Sequence, residues 1–351
     1  MLRKRTFLRA AGWLAASVAL LAAALFLYAR GYRLDAVAPV NRNATPASLP
    51  YLQQAAPQRG HILVVVSSAS HFPDGVKKAG YELTELSRAY YVFRANGFEV
   101  DIASPRGGEP AVRIDLDDMG DADYAFLNDP AAQRKVKSSL ALAQVDPARY
   151  AAVYFAGGKG AMFEFPANPD VARIAGAIAR RGVVGAVCHG PAALLGVRLA
   201  DGTPLVAGRR MTGFSNAEEL LLMKDARQRF PWLLEDRARA LGARFSAGPL
   251  FVDTTVVDGR LVTGQNPWST WSVAEAMVAA LGHTPAPRQR TAEEHSVHVL
   301  AAFHADGWDA ARAAQLKAPQ HDRSLLLLHA LVAAMDWRLA DALKLQWLAR
   351  Y

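Results

Sequence analysis

The stretch AVCHGPAAL (186–194) holds the one cysteine of the chain, Cys188, directly after an apolar run and before a helical one. Small residues stand two positions to either side, Ala186 and Gly190. That spacing marks a strand-to-helix elbow, where the backbone turns sharply and lifts a nucleophile above the sheet. A lone thiol is more often a buried small hydrophobe than a reactive group, and the elbow spacing reverses that preference here. A helix N-terminus beyond the turn would favour the thiolate through its dipole and free N–H groups. His189, the next residue, is a base or proton shuttle suited to work near neutral pH. The pair points to covalent chemistry at sulfur. With one cysteine there is no internal disulfide, and no CxxC pair for a zinc ribbon or a redox dithiol.

The elements around this elbow alternate. HILVVVSS (61–68), FEVDIAS (98–104), YAAVYFAGG (150–158) and VVGAV (183–187) are short β-branched runs of buried parallel-strand type. Between and after them LTELSRAYYVFRANG (83–97), DPAAQRKVKSSLALAQV (129–145), ANPDVARIAGAIARRG (167–182) and PAALLGVRL (191–199) carry helical spacing. TGFSNAEELLLM, FPWLLEDRARALG and STWSVAEAMVAALG predict further helices, and RFSAGPLFVDTTVVDGRLVTGQNP predicts strands about a turn at Asp258–Gly259. The expectation is an α/β fold, a doubly wound and mostly parallel sheet with helices on both faces, with its site beyond the carboxyl ends of the strands.

Residues 61–282 resemble the ThiJ/PfpI family of class I glutamine amidotransferase-like domains, which have a flavodoxin-like sheet. They most resemble its branch of stress-inducible chaperones with glutathione-independent glyoxalase (glyoxalase III) activity. The motifs that carry the likeness are GYELTE with LSRAYYVFRANGFEVDIASP, then GGKGAMFEFP, AVCHGP, TGFSNAEE and VTGQNP, in that order. The resemblance implies that Cys188 is the nucleophile, His189 its partner, Glu219 the carboxylate that orients the imidazole, and Glu85 the acid that approaches the sulfur. It places substrate and oxyanion binding at Gly158, Lys159 and Gly160, with the His189 amide beside them. It further implies a lyase of the D-lactate dehydratase type, turning a small 2-oxoaldehyde such as methylglyoxal into a 2-hydroxy acid such as lactate. No cofactor and no metal are expected. A small aldehyde or carbonyl compound is the expected partner, with a homodimer, since members of the family often pair through this domain.

Two positions depart from the branch pattern. Lys159 stands where GGHG has its histidine, with Glu164 at the place of the following Asp, and Arg88 stands where a His commonly follows Glu85. Lys and Arg do not shuttle protons near neutral pH as His does; they would instead hold an anionic substrate or product. The reaction class is kept and the substrate is open. Two other readings stand beside it: a cysteine hydrolase of amidase or peptidase type on the same triad, and a membrane-anchored, non-catalytic chaperone or redox sensor.

Six of the 40 basic residues lie within residues 1–34, which contain no acid, leaving 34 against 32 acids elsewhere. The body is near neutral, so a nucleic-acid footprint is absent. Ala10–Ala29 runs twenty positions without charge, enough to span roughly 30 Å of hydrocarbon. Arg3, Lys4, Arg5 and Arg9 precede it, with Arg30 and Arg33 after it, so the expectation is a single-pass anchor with the catalytic domain on the exported, periplasmic or extracellular side. The segments are then an anchor (1–33), a Pro- and Ala-rich linker (34–59), the catalytic domain (60–283) and a helical extension (284–351) of three or four helices. In that extension Glu294, His295 and His298 share a helix face, where solvated polarity is the commoner cause than a metal.

Overall fold

The computed structural model describes residues 40–54, 56–318 and 320–350, together with Ala23 and residues 30–32. Its contacts divide into two compact units, Val40–Gln289 and one that takes in Arg290–Tyr351.

In the first unit β1 (His61–Val65) is buried at every residue after His61. Ile62 and Val64 enter one apolar cluster, Leu63 and Val65 the other. Alternate side chains of a strand point to opposite faces, so a strand that is apolar throughout must be covered on both. The remaining strands of its sheet are β2 (Glu99–Ser104), β3 (Leu140–Ala141), β4 (Tyr150–Phe155), β5 (Val183–Val187), β6 (Thr255–Asp258) and β7 (Leu261–Gly264), in the order β6-β7-β5-β4-β1-β2-β3. All neighbours are parallel except β6 and β7, which form a hairpin. The chain leaves β1 for β2 on one side and returns to β4 on the other. This reversal opens a crevice beyond the carboxyl ends of β1 and β4, next to the end of β5.

One face is covered by α1 (Leu83–Ala95), which brings Tyr90, Tyr91 and Phe93 to the core with Trp271 and Met277 from the helix Thr270–Ala280. That helix lies close enough that a Cβ on Gly185 of β5 would fall 2.1 Å from Met277 Sδ. The opposite face is covered by α2 (Pro169–Ala179), through Ile174 and Ile178, and by α3 (Ala192–Leu195) through Leu194. α2 starts where the sequence signals it: Asn168 Oδ1 accepts from the amides of Asp170 and Val171 at 2.9 and 3.2 Å, and Pro169 takes the first helical position.

Two elements are shorter than their patterns predict. The helix expected over 129–145 is Pro130–Lys137 and stops at Ser138. Ser139 Oγ engages Ser104 Oγ at 2.8 Å and Gly108 O at 2.6 Å, and the next two residues pair with β2 as the edge strand β3. Serine hydroxyls that compete for backbone partners end helices in this way. The helix after the elbow is the four residues of α3, not nine, and gives way at Gly196, where a Cβ would lie 1.9 Å from Pro166 O.

Within Arg290–Tyr351 the described residues of the second unit form the helices Ala292–Asp306, Trp308–Lys317, Arg323–Met335 and Leu339–Arg350. Gly307, at φ +83°, turns the first into the second. Val299, Leu300, Leu326, Ala333, Leu345 and Leu348 are buried, and Trp308 meets Trp347 edge-on at 5.1 Å.

The expected fold class and localisation need one correction. Among the described residues no helix is long and apolar enough to cross a membrane; the longest, Ala292–Asp306, has 15 residues, about 22 Å against the roughly 30 Å of a bilayer core. The apolar run Ala10–Ala29 read as the membrane span lies, apart from Ala23, outside the described residues. The architecture is therefore an α/β unit with a helical C-terminal unit, and neither the single-pass anchor nor the exported placement derived from it is retained.

Phe93 is fully buried, edge-on to Tyr154 with centroids 5.9 Å apart. Phe93→Ala is expected to lower the unfolding free energy of the α/β unit by about 3–5 kcal/mol. Leu343→Ala, at a side chain 67% exposed, should stay within about 0.5 kcal/mol. Urea unfolding of the full chain measures both.

Candidate active site

β5 ends at Val187, and Cys188 follows at φ +58°. The left-handed region costs a side-chain-bearing residue roughly 1–2 kcal/mol, so the surroundings must enforce it. The Cys188 N–H donates to Gly264 O at 3.0 Å, and its carbonyl accepts from the Phe214 N–H at 2.8 Å. Space for the turn comes from missing side chains. A Cβ on Gly190 would lie 2.1 Å from Phe155 O, and one on Gly157 would lie 2.7 Å from His189 N and 2.8 Å from Glu85 Oε2. Alanine at either place would push the elbow off β4.

The turn puts Cys188 Sγ 3.3 Å from His189 Nδ1, while His189 Nε2 meets Glu219 Oε2 at 2.6 Å. Phe214 and Phe230 flank the imidazole, with ring centroids 4.5 and 6.1 Å away, and hold its plane. Adjacent Glu218 is separated from this role by its own bonds. It closes a capping box with Ser215 at the start of the helix Asn216–Leu222, and its Oε1 accepts from the Phe251 amide at 2.9 Å and Asn266 Nδ2 at 2.8 Å. The next residue projects about 100° further round the helix, toward His189. Burial alone would raise the Glu219 carboxyl, but the charge and hydrogen bond of His189 outweigh it and hold the group below its usual range.

Glu85 reaches the sulfur from the other side. It is completely buried in the first turn of α1, accepts from the Gly157 N–H through Oε2 and has the Cys188 thiol among its electrostatic neighbours. Tyr154, from β4, donates its hydroxyl to the Glu85 carbonyl at 3.0 Å and fixes that turn to the sheet. Burial, then the nearby Glu82, push the Glu85 carboxyl well above the carboxylate range. Burial and then Glu85 likewise push the Cys188 thiol up, against the Gly158 N–H, which favours the thiolate. The thiolate-favouring helix dipole expected from the sequence is outweighed, since α3 is only four residues long.

The remaining expected residues fall into two groups. Gly158 lies at φ +87° with its amide toward the sulfur, and Lys159 follows, partly buried, with Glu219 and Cys188 among its electrostatic neighbours. The Gly160 N–H is engaged by Gly80 O at 3.1 Å, which removes its amide as an oxyanion donor. Glu164 binds the loop after β1 through Ser67 Oγ at 2.8 Å and the amides of Ser68 and Ala69 at 2.6 and 3.1 Å. Arg88 is buried against Asp123 at 3.4 Å, the Asp118 carbonyl at 2.6 Å and the face of Trp271, so it ties α1 to its neighbours and does not reach for a substrate. In the C-terminal unit Glu294 caps its helix by bonding the Thr291 amide at 2.9 Å, and His295 Nδ1 meets Gln320 O at 2.8 Å. Among the described residues no group of three His, Cys, Asp or Glu side chains is placed to hold a metal.

Sequence reasoning missed Tyr154, Phe214, Phe230 and Glu82. Glu82 directly precedes α1 and lies 3.6 Å from Arg113. Burial first, offset by Arg113 and reinforced by Asp118 and Asp115, raises it to about 8. The motif GYELTE contained the signal, a second acid three residues before Glu85, but not the burial that gives it meaning.

These raised carboxyls set a pH dependence of stability. Between its ordinary value of 4.5 and about 8, Glu82 is ionised in the unfolded chain and protonated in the folded one. Stability from this group is therefore full below the unfolded value and is lost as pH rises through the folded one; Glu85 acts in the same direction. Urea unfolding of wild type should show stability falling across that interval, and Glu82→Gln and Glu85→Gln should each flatten the fall.

The DJ-1/PfpI family pattern matches residues 76–280. The glutathione-independent glyoxalase HSP31 of Saccharomyces cerevisiae is 34% identical over 220 residues, covering 60% of this chain and 92% of its own. Glyoxalase 3 of Candida albicans is 31% identical over 229 residues, covering 62% and 97%. Among solved structures, the rapid encystment protein of Francisella tularensis superposes with a TM-score of 0.60 at 32% identity, covering 64% of this chain and 99% of its own. The Candida albicans glyoxalase III structure gives 0.58 at 30%, covering 63% and 97%. With a sheet, an elbow and a sequence match that agree over more than half its length, the chain belongs to the DJ-1/PfpI family.

Proposed function

We propose that the protein is a glutathione-independent glyoxalase, a lyase of the glyoxalase III type that converts a 2-oxoaldehyde such as methylglyoxal to the 2-hydroxy acid in carbonyl detoxification. The observation that carries this reading is the unbroken set Glu85–Cys188–His189–Glu219 in a buried pocket. It stands on a chain about a third identical to relatives named for that activity.

Cys188 Sγ adds to the aldehyde carbon, and the thiol proton passes to His189 Nδ1, 3.3 Å away. The new oxyanion lies toward the amides of Gly158 and His189 and takes a proton to give a hemithioacetal. His189, returned to its neutral form and oriented by Glu219, removes the hydrogen of that carbon as a proton. The electron pair left behind forms the enediol, with Glu85, held protonated by burial, donating toward the developing charge. A proton delivered to the neighbouring carbon and one lost from the first oxygen give a thioester of the hydroxy acid, which water cleaves to the acid and the free thiol. The aldehyde carbon is oxidised and the ketone carbon reduced, so the net addition is one water and no external oxidant or reductant is required.

Purified protein is expected to form lactate from methylglyoxal without added glutathione. Cys188→Ala should abolish this, and Glu219→Gln should reduce kcat by about 10²–10⁴, the scale of general acid–base assistance. Lactate assay by chromatography checks both. Release of ammonia or an amine from an acyl substrate, with no lactate, would favour the hydrolase instead, and undiminished turnover in Cys188→Ala would contradict the covalent route.

A further inference from the structure

The segment 157–160 sets Lys159 directly after the Gly158 amide that faces the reacting sulfur, and among the described residues no carboxylate closes an ion pair with it. Lys159 stands between two glycines that admit no side chain: a Cβ on Gly158 would lie 2.5 Å from Gly80 O, and one on Gly160 would lie 2.6 Å from Ser67 Oγ. With the Gly160 amide bonded to Gly80 O, the backbone has no room to carry Lys159 away from Cys188. Among the described residues its partly buried ammonium has neither a hydrogen bond nor an ion pair. Its electrostatic neighbours are Glu219, Lys77, Arg113 and Cys188. Glu219, the first charge that favours the Lys159 ammonium, is hydrogen-bonded through Oε2 to His189 and closes no ion pair with Lys159, and Arg113 already faces Glu82 and Asp115, each at 3.6 Å. Lys77 lies over the Phe72 ring, 5.6 Å from its centroid, and Phe72 packs on Phe163 and Phe230 beside the imidazole.

A partly desolvated charge without a partner is unfavourable, and a ligand that brings the opposite charge relieves it. A neutral, compact oxoaldehyde such as methylglyoxal makes no use of that. We propose that the preferred substrate of this site is a 2-oxoaldehyde bearing an anionic group, a carboxylate or a phosphoester, on the far side of its ketone, and that Lys159 selects it. The proposal rests on the glyoxalase reading of the Cys188 site and narrows its substrate class. The internal redox exchange is unchanged, because the anionic group takes no part in it; the product is a 2-hydroxy acid with a second acidic group.

The test compares kcat/KM for methylglyoxal, 2,3-dioxopropanoate and 3-phosphooxy-2-oxopropanal in wild type, Lys159→Met and Lys159→Arg. In wild type at least one charged substrate should be preferred by about tenfold, the effect of one charge-assisted hydrogen bond. The preference should collapse in Lys159→Met, survive in Lys159→Arg, and shrink with added salt. Which of the two gains the factor identifies the anionic group. Equal kcat/KM for charged and neutral substrates, or a preference untouched by Lys159→Met, overturns the proposal while leaving the glyoxalase reading intact. Should no oxoaldehyde turn over, that reading fails by itself, and calorimetric binding of tartronate, 3-phosphoglycerate and lactate decides the anion site separately. Tighter binding of a dianion, lost in Lys159→Met, supports it; equal binding of all three overturns it.

Discussion

A carboxyl group and a thiol are buried together between β4 and α1, and the rest of the site is arranged around the charge they can hold. Glu85 and Cys188 are both taken out of water, and each acts on the ionisation of the other. Two negative charges side by side in a buried site are strongly unfavourable, so burial and mutual repulsion raise both groups and disfavour their ionising together. Burial drives Glu85 upward as the first cause, which makes it a proton donor aimed at sulfur. Glu219, also buried but matched to the imidazole, is held below its usual range. Two carboxyls are thus shifted in opposite directions by their surroundings, on either side of the thiol.

The fold is organised to hold this pair. Glu85 is reached through Gly157 after β4, and the sulfur through the elbow after β5; both strands are parallel and paired to one another from Ala152 to Phe155. The left-handed Cys188 is tolerated because Gly264 and Phe214 satisfy its amide and carbonyl. Glycines at 157 and 190 remove the atoms that would collide. Strain of a kilocalorie or two is thus offset by the fully buried sheet beneath it.

The core of this arrangement was legible in the sequence where it depends on local spacing. The elbow could be read from Ala186, Cys188 and Gly190, and the sheet from the β-branched runs, because strand burial and tight turns leave short-range patterns. What could not be read depends on contacts between distant residues. Arg88 finds Asp123 and Trp271 only once α1 has docked, and Glu164 is taken up by the loop after β1. The choice between Glu218 and Glu219 needs the capping box and Asn266, 48 residues on. The edge strand at Leu140–Ala141 was hidden because its pattern continues a preceding helix and only pairing with β2 distinguishes it. Lys159 was visible as a departure from a motif, but that no ion pair forms on it among the described residues is a property of the fold.

The most direct test is whether Glu85 carries a proton in the folded protein at neutral pH. The difference infrared spectrum of wild type minus Glu85→Gln should show the carbonyl stretch of a protonated carboxylic acid, shifted when Cys188 is alkylated. A carboxylate signature in that difference would mean that Glu85 is ionised beside the sulfur, and would contradict the protonated Glu85 from which the proposed mechanism starts.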